Sequence, residues 1–331
     1  MFGSEGMRVL IYAGIDEAGY GPMLGPLCVG MAVFGVREWQ PGEPAPDLWD
    51  LLAPTVARSL SEAKRTRAVT IADSKRIKLA NQSKTRHPLV HLERGVLAML
   101  ASRGEGHACC TTDADLFSEL GAQQPATDWF PGAPIDLPLG NDPGMLAIDA
   151  AQIGAAMARA GIELLGQHVM MIDERAYNRM LIEHRSKAGV IEHALGQQLM
   201  RVKQYVGEGD ALRVVADRQG ARTMYGGVLN RCFDRVEVLE ESSRASRYAV
   251  DGKHGVILHS EAEDAHLPVA LASMGAKLAR ELAMARFNRH WGAKMPELKP
   301  TAGYVQDARR WLVDAAPILS AADRDALVRR A

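Results

Sequence analysis

Apolar and polar positions along the chain predict strands first and then alternating helices and strands. An apolar run at 9–15 predicts a buried strand that enters the glycine-rich segment 19–25, and a second apolar run follows that segment. The same patterns predict the remaining elements, which are helices over 51–63, 87–102, 145–165 and two more between 174 and 205, and strands over 212–217 and within 235–260. This order indicates an α/β fold.

Residues 103–145 differ from the rest of the chain because they contain many prolines and glycines and little periodicity. A structureless segment of this length is uncommon inside a compact domain and usually forms a lid, a binding loop or an insertion. We therefore predict one domain over 1–300 that carries this insertion, partly ordered over a surface cleft. Residues 301–331 are predicted to form a helical C-terminal segment.

Two adjacent acids, Asp16 and Glu17, follow the first predicted strand. Neighbouring side chains on a regular strand point to opposite faces, so both acids face one site only if the strand breaks here. Gly19 and Gly21 permit such a break. Two uncompensated carboxylates would repel each other and raise one pKa, and a divalent cation removes that cost. The alternative is a solvated acidic pair at a strand-to-turn junction.

The charge of the chain is nearly balanced, with a formal net charge of −1 over 331 residues. From Lys277 onward, 11 Lys and Arg residues face 6 acids, a local excess of 11 − 6 = +5. That end is predicted to meet a phosphate backbone, with a merely solvated surface as the alternative. The four cysteines lack zinc-ligand spacing, and no bilayer-spanning run or signal peptide is seen, so we expect a reduced, cytoplasmic setting.

The segment from Asp16 to Pro26, which reads DEAGYGPMLGP, resembles the opening of the ribonuclease HII (type 2 ribonuclease H) family. The chain departs from the family at Tyr20, where an arginine is usual between the two glycines. The resemblance implies a ribonuclease H-like mixed sheet flanked by helices, with a helical C-terminal part. It also implies an endonuclease that cuts the RNA strand of RNA–DNA hybrids, or embedded ribonucleotides, and leaves 5′-phosphate and 3′-hydroxyl ends.

The family resemblance also implies the catalytic acids. Asp16 would bridge two Mg²⁺ or Mn²⁺ ions, with Glu17, Asp217 and Glu281 completing their shells. Asp217 ends the strand predicted over 212–217, where family members have a ligand, although Arg218 replaces the usual glycine. Glu281 stands where the family has an aspartate, and an exposed ion pair with Lys277 is the alternative for it.

Several of these assignments leave alternatives open. Asp251 competes with Asp217 for the third position, but it follows a predicted helix that the family's ligand precedes. Glu263 and Asp264 have no unique match in the family pattern, because the segment is one residue shorter than usual. Asp173 is predicted to cap a helix rather than to catalyse.

The resemblance assigns six substrate-binding residues, which are Gly19, Tyr20, Gly21, Lys75, Lys277 and Tyr304. Backbone groups of the family's glycine loop recognise the ribose 2′-hydroxyl, and the tyrosine matched by Tyr304 packs at the RNA–DNA junction. Lys75 follows Asp73 and Ser74 and would meet a phosphate, unless this segment is only a helix cap. Two other functions stay open, which are an enzyme for another structured nucleic acid and a non-catalytic nucleic-acid-binding module.

Overall fold

A computed structural model describes residues 9–37, 39–40, 42–104, 110–125, 127–220, 222–252 and 254–330. Cys109 and residues 105–108 of the predicted insertion lie outside this description. The strands of the described residues are β1 (Leu10–Ala18), β2 (Leu27–Val36), β3 (Val56–Ala57), β4 (Val69–Thr70), β5 (Ile162–Ile172), β6 (Ala211–Asp217), β7 (Val236–Glu241), β8 (Ala245–Val250) and β9 (His254–His259).

Seven of these strands form one mixed sheet in the order β5-β2-β1-β6-β9-β8-β7. Strands β1, β6 and β9 run parallel, while β5, β2 and β1 pair antiparallel at one side and β9, β8 and β7 at the other. The short strands β3 and β4 pair separately. The predicted mixed sheet is confirmed, and its parallel centre brings the carboxyl ends of β1 and β6 to one edge.

Helices cover both faces of the sheet and form the C-terminal part, as predicted. They are α1 (Leu48–Leu52), α2 (Leu60–Thr66), α3 (Ser74–Ile77), α4 (Val90–Ala101), α5 (Asp113–Glu119), α6 (Pro143–Arg159), α7 (Glu174–His184), α8 (Lys187–Lys203), α9 (Gly226–Cys232), α10 (Ala262–Ala265), α11 (Leu267–Lys294), α12 (Val305–Asp314) and α13 (Ala321–Leu327), with a 3₁₀ turn at Ala316–Ile318. No helix in the described ranges is long and apolar enough to cross a membrane.

The long helix α11 lies directly on β1 and β2 because glycines remove side chains from the contact. A Cβ atom on Gly14 would lie 2.1 Å from the carbonyl carbon of Pro268, and one on Gly30 would lie 2.2 Å from the carbonyl oxygen of Ala272. Side chains larger than hydrogen would separate the layers. This contact fixes the first half of α11 against the strand that carries Asp16.

The alternation of β1 divides the core between the two faces. Leu10 and Tyr12 belong to the cluster formed with α4 and α11, whereas Ile11 and Ala13 belong to the cluster formed with α8 and α9. Both faces are therefore buried, which explains the continuous apolar run of the strand.

Two predicted helices have different bounds in the structure. The helix predicted over 51–63 is divided into α1 and α2, with β3 between them, because Ser59 caps a new helix by accepting a hydrogen bond from the Glu62 amide. The helix predicted over 145–165 ends at Arg159, where Gly161 adopts a φ of 63° and β5 begins.

The described part of the predicted insertion is more ordered than its composition indicates. Helix α5 begins with a capping box at Thr112, and Phe117 and Phe130 are buried in the main core. The buried side chains of Asp113 and Arg286 form an ion pair at 2.6 Å, which attaches α5 to the second half of α11. A position over the substrate cleft stays a prediction.

Candidate active site

Asp16 and Glu17 lie at the carboxyl end of β1 and are both still paired with β2, opposite Gly30 and Val29. The expected break of the strand therefore comes only after both acids, at Gly19, which has a φ of 92°. Asp16 is buried and accepts a hydrogen bond from the Glu17 amide at 2.7 Å. By strand alternation Asp16 faces α11 and Glu17 faces the other layer, so the two acids meet only at the sheet edge.

Asp217 ends β6, the parallel neighbour of β1, and so lies at the same edge of the sheet. Its Oδ1 accepts a hydrogen bond from the Ala262 amide at 3.3 Å. Asp251, the alternative third acid, lies in the turn between β8 and β9 and accepts from the Arg235 amide at 2.9 Å. Because β9 runs parallel to β6, the start of β9 is at the opposite edge, which favours Asp217.

A further acid, Glu263, reaches this edge from the short helix α10. It is only 5% exposed, and its Oε2 atom is buried without a hydrogen-bond partner. Its Oε1 lies 3.9 Å from Nζ of Lys75. Asp264 beside it is instead paired with Arg76 at 2.7 Å. The family pattern matches neither acid uniquely. In the structure the two acids have different partners, Lys75 for Glu263 and Arg76 for Asp264.

Electrostatic coupling connects these four acids, which we call the carboxylate cluster (Asp16, Glu17, Asp217 and Glu263). Burial and then the Glu17 carboxylate raise the pKa of Asp16 well above its usual range, and a hydrogen bond to Ser273 offsets part of that rise. Burial and the charge of Asp217 raise the pKa of Glu17 to about 7. Burial also raises the pKa of Asp217 and of Glu263. The site holds more negative charge than its surroundings neutralise.

Lys75 is the basic side chain next to the cluster. Asp73 caps α3 by accepting from the Lys75 amide at 2.9 Å, as the sequence predicted. Burial acts to lower the pKa of Lys75, but the charges of Asp16 and Asp73 outweigh it and raise that pKa. Ser74, between them, accepts a hydrogen bond from Ser273 of α11 at 3.0 Å, which ties α3 to the helix that faces Asp16.

Glu281 lies farther along α11 and is held by two lysines. Ser273, Lys277 and Glu281 share a helix face, but two turns, or about 12 Å, separate Ser273 from Glu281 along the helix axis. Oε1 of Glu281 lies 2.9 Å from Nζ of Lys277, and its Oε2 lies 3.8 Å from Nζ of Lys78. The role of Glu281 as a metal ligand stays a prediction.

The turn between β1 and β2, residues 19–26, is joined to the segment that carries Tyr304. The amides of Met23 and Leu24 both donate to the Gly303 carbonyl, at 2.8 and 3.2 Å. Tyr20 and Tyr304 are 42% and 50% exposed, so both rings are open to a ligand. Nζ of Lys277 lies 5.9 Å from the centre of the Tyr304 ring.

Two buried side chains form hydrogen bonds with the backbone of this turn. Arg280 donates to the carbonyls of Pro26 and Leu24, at 2.7 and 3.2 Å, and Glu174 accepts from the Gly25 amide at 2.9 Å. Glu174 follows Asp173, whose side chain caps α7 by accepting from the Ala176 amide, so the helix-cap prediction for Asp173 is confirmed. The turn is thus fixed by contacts with α7 and α11.

The donor chemistry of the carboxylate cluster fits a hard divalent cation. Mg²⁺ and Mn²⁺ prefer carboxylate oxygens, and the orphaned Oε2 of Glu263 is an oxygen that the protein leaves without a donor. Among the residues that the structure describes, no three His, Cys, Asp or Glu side chains already converge tightly enough to enclose an ion. Lys75 lies near the same carboxylates and offsets part of their charge.

Comparison with known proteins gives structural matches alone. No family model and no curated protein matches the chain. A structure of the PCNA:RNase HII complex from Archaeoglobus fulgidus is similar to it, with 13% identity and a TM-score of 0.41 over 97% of this chain and 94% of that chain. Ribonuclease H2 from Pyrococcus horikoshii OT3 matches with 15% identity and a TM-score of 0.40 over 92% and 86%.

Another similar structure is Bst-RNase HIII in complex with Mn²⁺, with 14% identity and a TM-score of 0.41 over 98% of this chain and 67% of that chain. These solved structures are of ribonucleases of the HII, H2 and HIII types.

Proposed function

We propose that the chain is a metal-dependent endonuclease that cuts the RNA strand of RNA–DNA hybrids or the linkage at embedded ribonucleotides, leaving 5′-phosphate and 3′-hydroxyl ends. The observation that carries this proposal is the carboxylate cluster at the edge of β1 and β6, directly before the turn 19–26. Four acids with raised pKa values at one edge of the sheet, two of them buried and two half-buried, are costly for folding, which supports a role in binding cations.

Asp16, Glu17, Asp217 and Glu263 would hold the divalent cations. Mg²⁺ or Mn²⁺ bound there supplies electrostatic stabilisation of the charge that develops on the phosphodiester oxygens. We propose Glu263 rather than Glu281 as the fourth carboxylate, because Glu263 is electrostatically coupled to Asp16 and Glu17 while Glu281 is paired with Lys277.

The chain's other residues position the substrate. Lys75 has a side chain that is 75% exposed, so it can leave Glu263 and approach a phosphate oxygen once cations neutralise the cluster. Backbone groups of Gly19 and Gly21 would contact the ribose 2′-hydroxyl, the group that distinguishes RNA from DNA. The exposed rings of Tyr20 and Tyr304 would stack on bases or sugars on either side of that ribose.

Tyr20 in place of the usual arginine makes the choice of substrate the part of the proposal to test first. The experiment presents an RNA–DNA hybrid, a duplex RNA, a duplex DNA and each single strand to the protein with Mg²⁺ or Mn²⁺, and identifies the product ends. We expect cuts in the RNA strand of the hybrid alone, with 5′-phosphate ends. Cleavage of another nucleic acid would support nuclease activity but contradict the proposed substrate. Binding without cleavage would favour the non-catalytic module.

A further inference from the structure

A pocket of about 380 Å³ lies beside the turn 19–26, and none of its lining residues belongs to the carboxylate cluster. Gly21, Pro22 and Met23 of the turn form one wall, and the C-terminal residues 328–330 form another. Its four charged lining residues are all basic, namely Lys187, Arg309, Arg329 and Arg330. We call this cavity the basic pocket.

Arg329 is the buried member of the basic pocket and has an unused donor. It is 5% exposed, and its Nε donates to the Pro22 carbonyl at 3.0 Å while its Nη2 donates to the Tyr20 carbonyl at 3.3 Å. Its Nη1 is buried and has no hydrogen-bond partner. A buried charged donor without an acceptor is costly, so this atom indicates an acceptor that the chain itself does not supply.

Two helices begin at the basic pocket. Helix α8, of 17 residues, starts with Lys187, and α12, of 10 residues, starts with Val305, and both first residues line the cavity. The first amides of a helix carry partial positive charge and lack intrahelical acceptors. The cap residue of α12, Tyr304, provides no side-chain hydrogen bond to them. The uncapped end of α12 therefore adds to the attraction for an anion, whereas in α8 the Gly189 amide already donates to the Ser186 side chain at 3.0 Å.

The other three bases of the pocket, of which Arg309 and Arg330 are exposed and Lys187 is half-buried, carry little neutralising charge. Within the described ranges, no carboxylate forms an ion pair with Lys187 or Arg309, and Arg330 has only a distant pair with Asp325 at 3.8 Å. Burial and the nearby charge of Arg280 lower the pKa of Arg329 to about 10, so its guanidinium stays charged at neutral pH. Four cationic groups without lining acids are the arrangement that a phosphate requires.

We propose that the basic pocket binds one backbone phosphate of a nucleic-acid strand whose scissile linkage lies at the carboxylate cluster. This inference rests on the proposed function. Gly21 is four residues beyond Glu17, so their Cα atoms are at most about 14 Å apart. We therefore expect the bound phosphate a few nucleotides from the cleaved bond.

The test measures binding without metal, so that it does not depend on cleavage. The affinity of the full chain for a labelled RNA–DNA hybrid is determined in EDTA over a range of salt concentrations, for wild type and the double variant Lys187→Ala/Arg309→Ala. We expect roughly tenfold weaker binding for the double variant and a log–log salt slope smaller by about 1. The control is Lys64→Ala/Arg65→Ala on α2, which removes the same charge outside the pocket and should bind like wild type.

A scan with single neutral methylphosphonate linkages identifies the phosphate concerned. One position, a few nucleotides from the cut, should weaken binding to wild type and leave binding to the double variant unchanged. Equal affinity of wild type and double variant for the hybrid would overturn the proposal, and so would a pocket that binds inorganic phosphate alone while hybrid binding is unaffected.

The failure of this inference is distinguishable from failure of the proposed function. If wild type cleaves the hybrid and the double variant binds it as tightly as wild type does, phosphate binding by the basic pocket is contradicted and the nuclease activity is supported. If the double variant binds more weakly but wild type cleaves no nucleic acid, phosphate binding by the basic pocket is supported and the nuclease activity is contradicted. A wild-type chain that binds no nucleic acid would reject both.

Discussion

At the scale of single residues, the carboxylate cluster consists of acids that come from separate elements and meet at one edge of the sheet. Asp16 and Glu17 end β1, Asp217 ends β6, and Glu263 comes from α10. Burial is the main reason that their pKa values rise. A carboxylate whose negative charge is destabilised by neighbouring acids in the free protein is the one that a bound cation stabilises most.

The first prediction decides between the two candidates for the fourth carboxylate. Glu263→Gln keeps the shape of the side chain and removes its charge, and we expect it to lower the rate of hybrid cleavage by roughly 100-fold or more, about 3 kcal/mol in the barrier. Glu281→Gln should reduce the rate less than tenfold, because Glu281 is paired with Lys277 and Lys78. Rates under saturating Mn²⁺ measure both effects, and the reverse order of the two variants would restore Glu281 to the metal site.

The second prediction concerns cation binding in the absence of substrate. Mg²⁺ or Mn²⁺ should raise the melting temperature of wild type, since a ligand at 100 times its dissociation constant stabilises by about 2.7 kcal/mol. Asp16→Asn should melt higher than wild type in EDTA, because repulsion in the cluster is relieved, and should gain little from the cation. Thermal unfolding followed by circular dichroism measures both.

Asp264→Asn is the matched control for cation binding, since Asp264 is adjacent to Glu263 but paired with Arg76. It should respond to the cation like wild type. The gain in wild type should also shrink as the pH falls below about 7, because Glu17 then takes up a proton that competes with the cation. A cation response that is the same in Asp16→Asn as in wild type contradicts the metal site.

Individual acids were predictable from the sequence only where a strand ends on them. Asp16, Glu17 and Asp217 each follow an apolar run, and parallel neighbours carry such residues to one edge. Glu263 has no such local signal. Its position depends on β9 pairing parallel to β6 and on the short helix that follows, which are long-range features that a local pattern does not contain.

At the scale of secondary-structure elements, α7 and α11 fix the turn 19–26 through buried charged groups. Glu174 of α7 is 1% exposed, and burial raises its pKa to about 7. Its folded-state pKa lies above the ordinary value of 4.5. Its protonated form therefore favours the folded state fully below about pH 4.5, and this contribution is lost as the pH rises through about 7.

The third prediction follows from this shift. Glu174→Gln preserves an oxygen that accepts from the Gly25 amide and has no charge to bury. Between about pH 5 and 8, the stability of wild type should fall relative to that of Glu174→Gln, by a few kcal/mol at most. Urea unfolding at several pH values measures the difference, and two parallel pH profiles would show that Glu174 is not the titrating group.

The fourth prediction concerns the link between α5 and α11. Asp113→Ala leaves the buried guanidinium of Arg286 without its carboxylate and should destabilise the protein by about 3–5 kcal/mol. Glu163→Ala removes an exposed partner of Arg37 and should cost less than about 1 kcal/mol. Chemical denaturation compares the two, and equal losses would mean that the Asp113 pair does not anchor the helix.

The elements with strong periodicity were predictable, and those decided by distant contacts were not. Helix α4 and strands β1 and β6 agree with the sequence pattern because each is long, apolar and bounded by turn residues. The sequence pattern predicts helix over the first residues of β5 because they continue an apolar pattern, and only pairing with β2 decides between helix and strand. The sequence pattern does not predict helix α5, because this proline-rich segment is held in place by distant contacts. These are one buried ion pair and two buried aromatic residues.

At the scale of the whole molecule, the mixed sheet, the flanking helices and the helical C-terminal part agree with the fold that the sequence indicates. The C-terminal residues also return to the start of the chain, since Arg329 donates to the carbonyls of Pro22 and Tyr20. Sequence spacing does not encode that contact, which joins positions more than 300 residues apart. It brings the C-terminal residues that line the basic pocket to the turn that follows Asp16 and Glu17.

The central claim, that the carboxylate cluster cuts at a ribonucleotide, is tested most directly with one substrate. A labelled DNA duplex that carries a single embedded ribonucleotide is incubated with wild type or Asp16→Asn in Mg²⁺ or Mn²⁺, with an all-DNA duplex as the control. We expect one cut at the ribonucleotide by wild type, at least about 100-fold slower cleavage by Asp16→Asn, and no cut in the all-DNA duplex. An intact ribonucleotide duplex with wild type, or equal cleavage by the variant, would contradict the central claim.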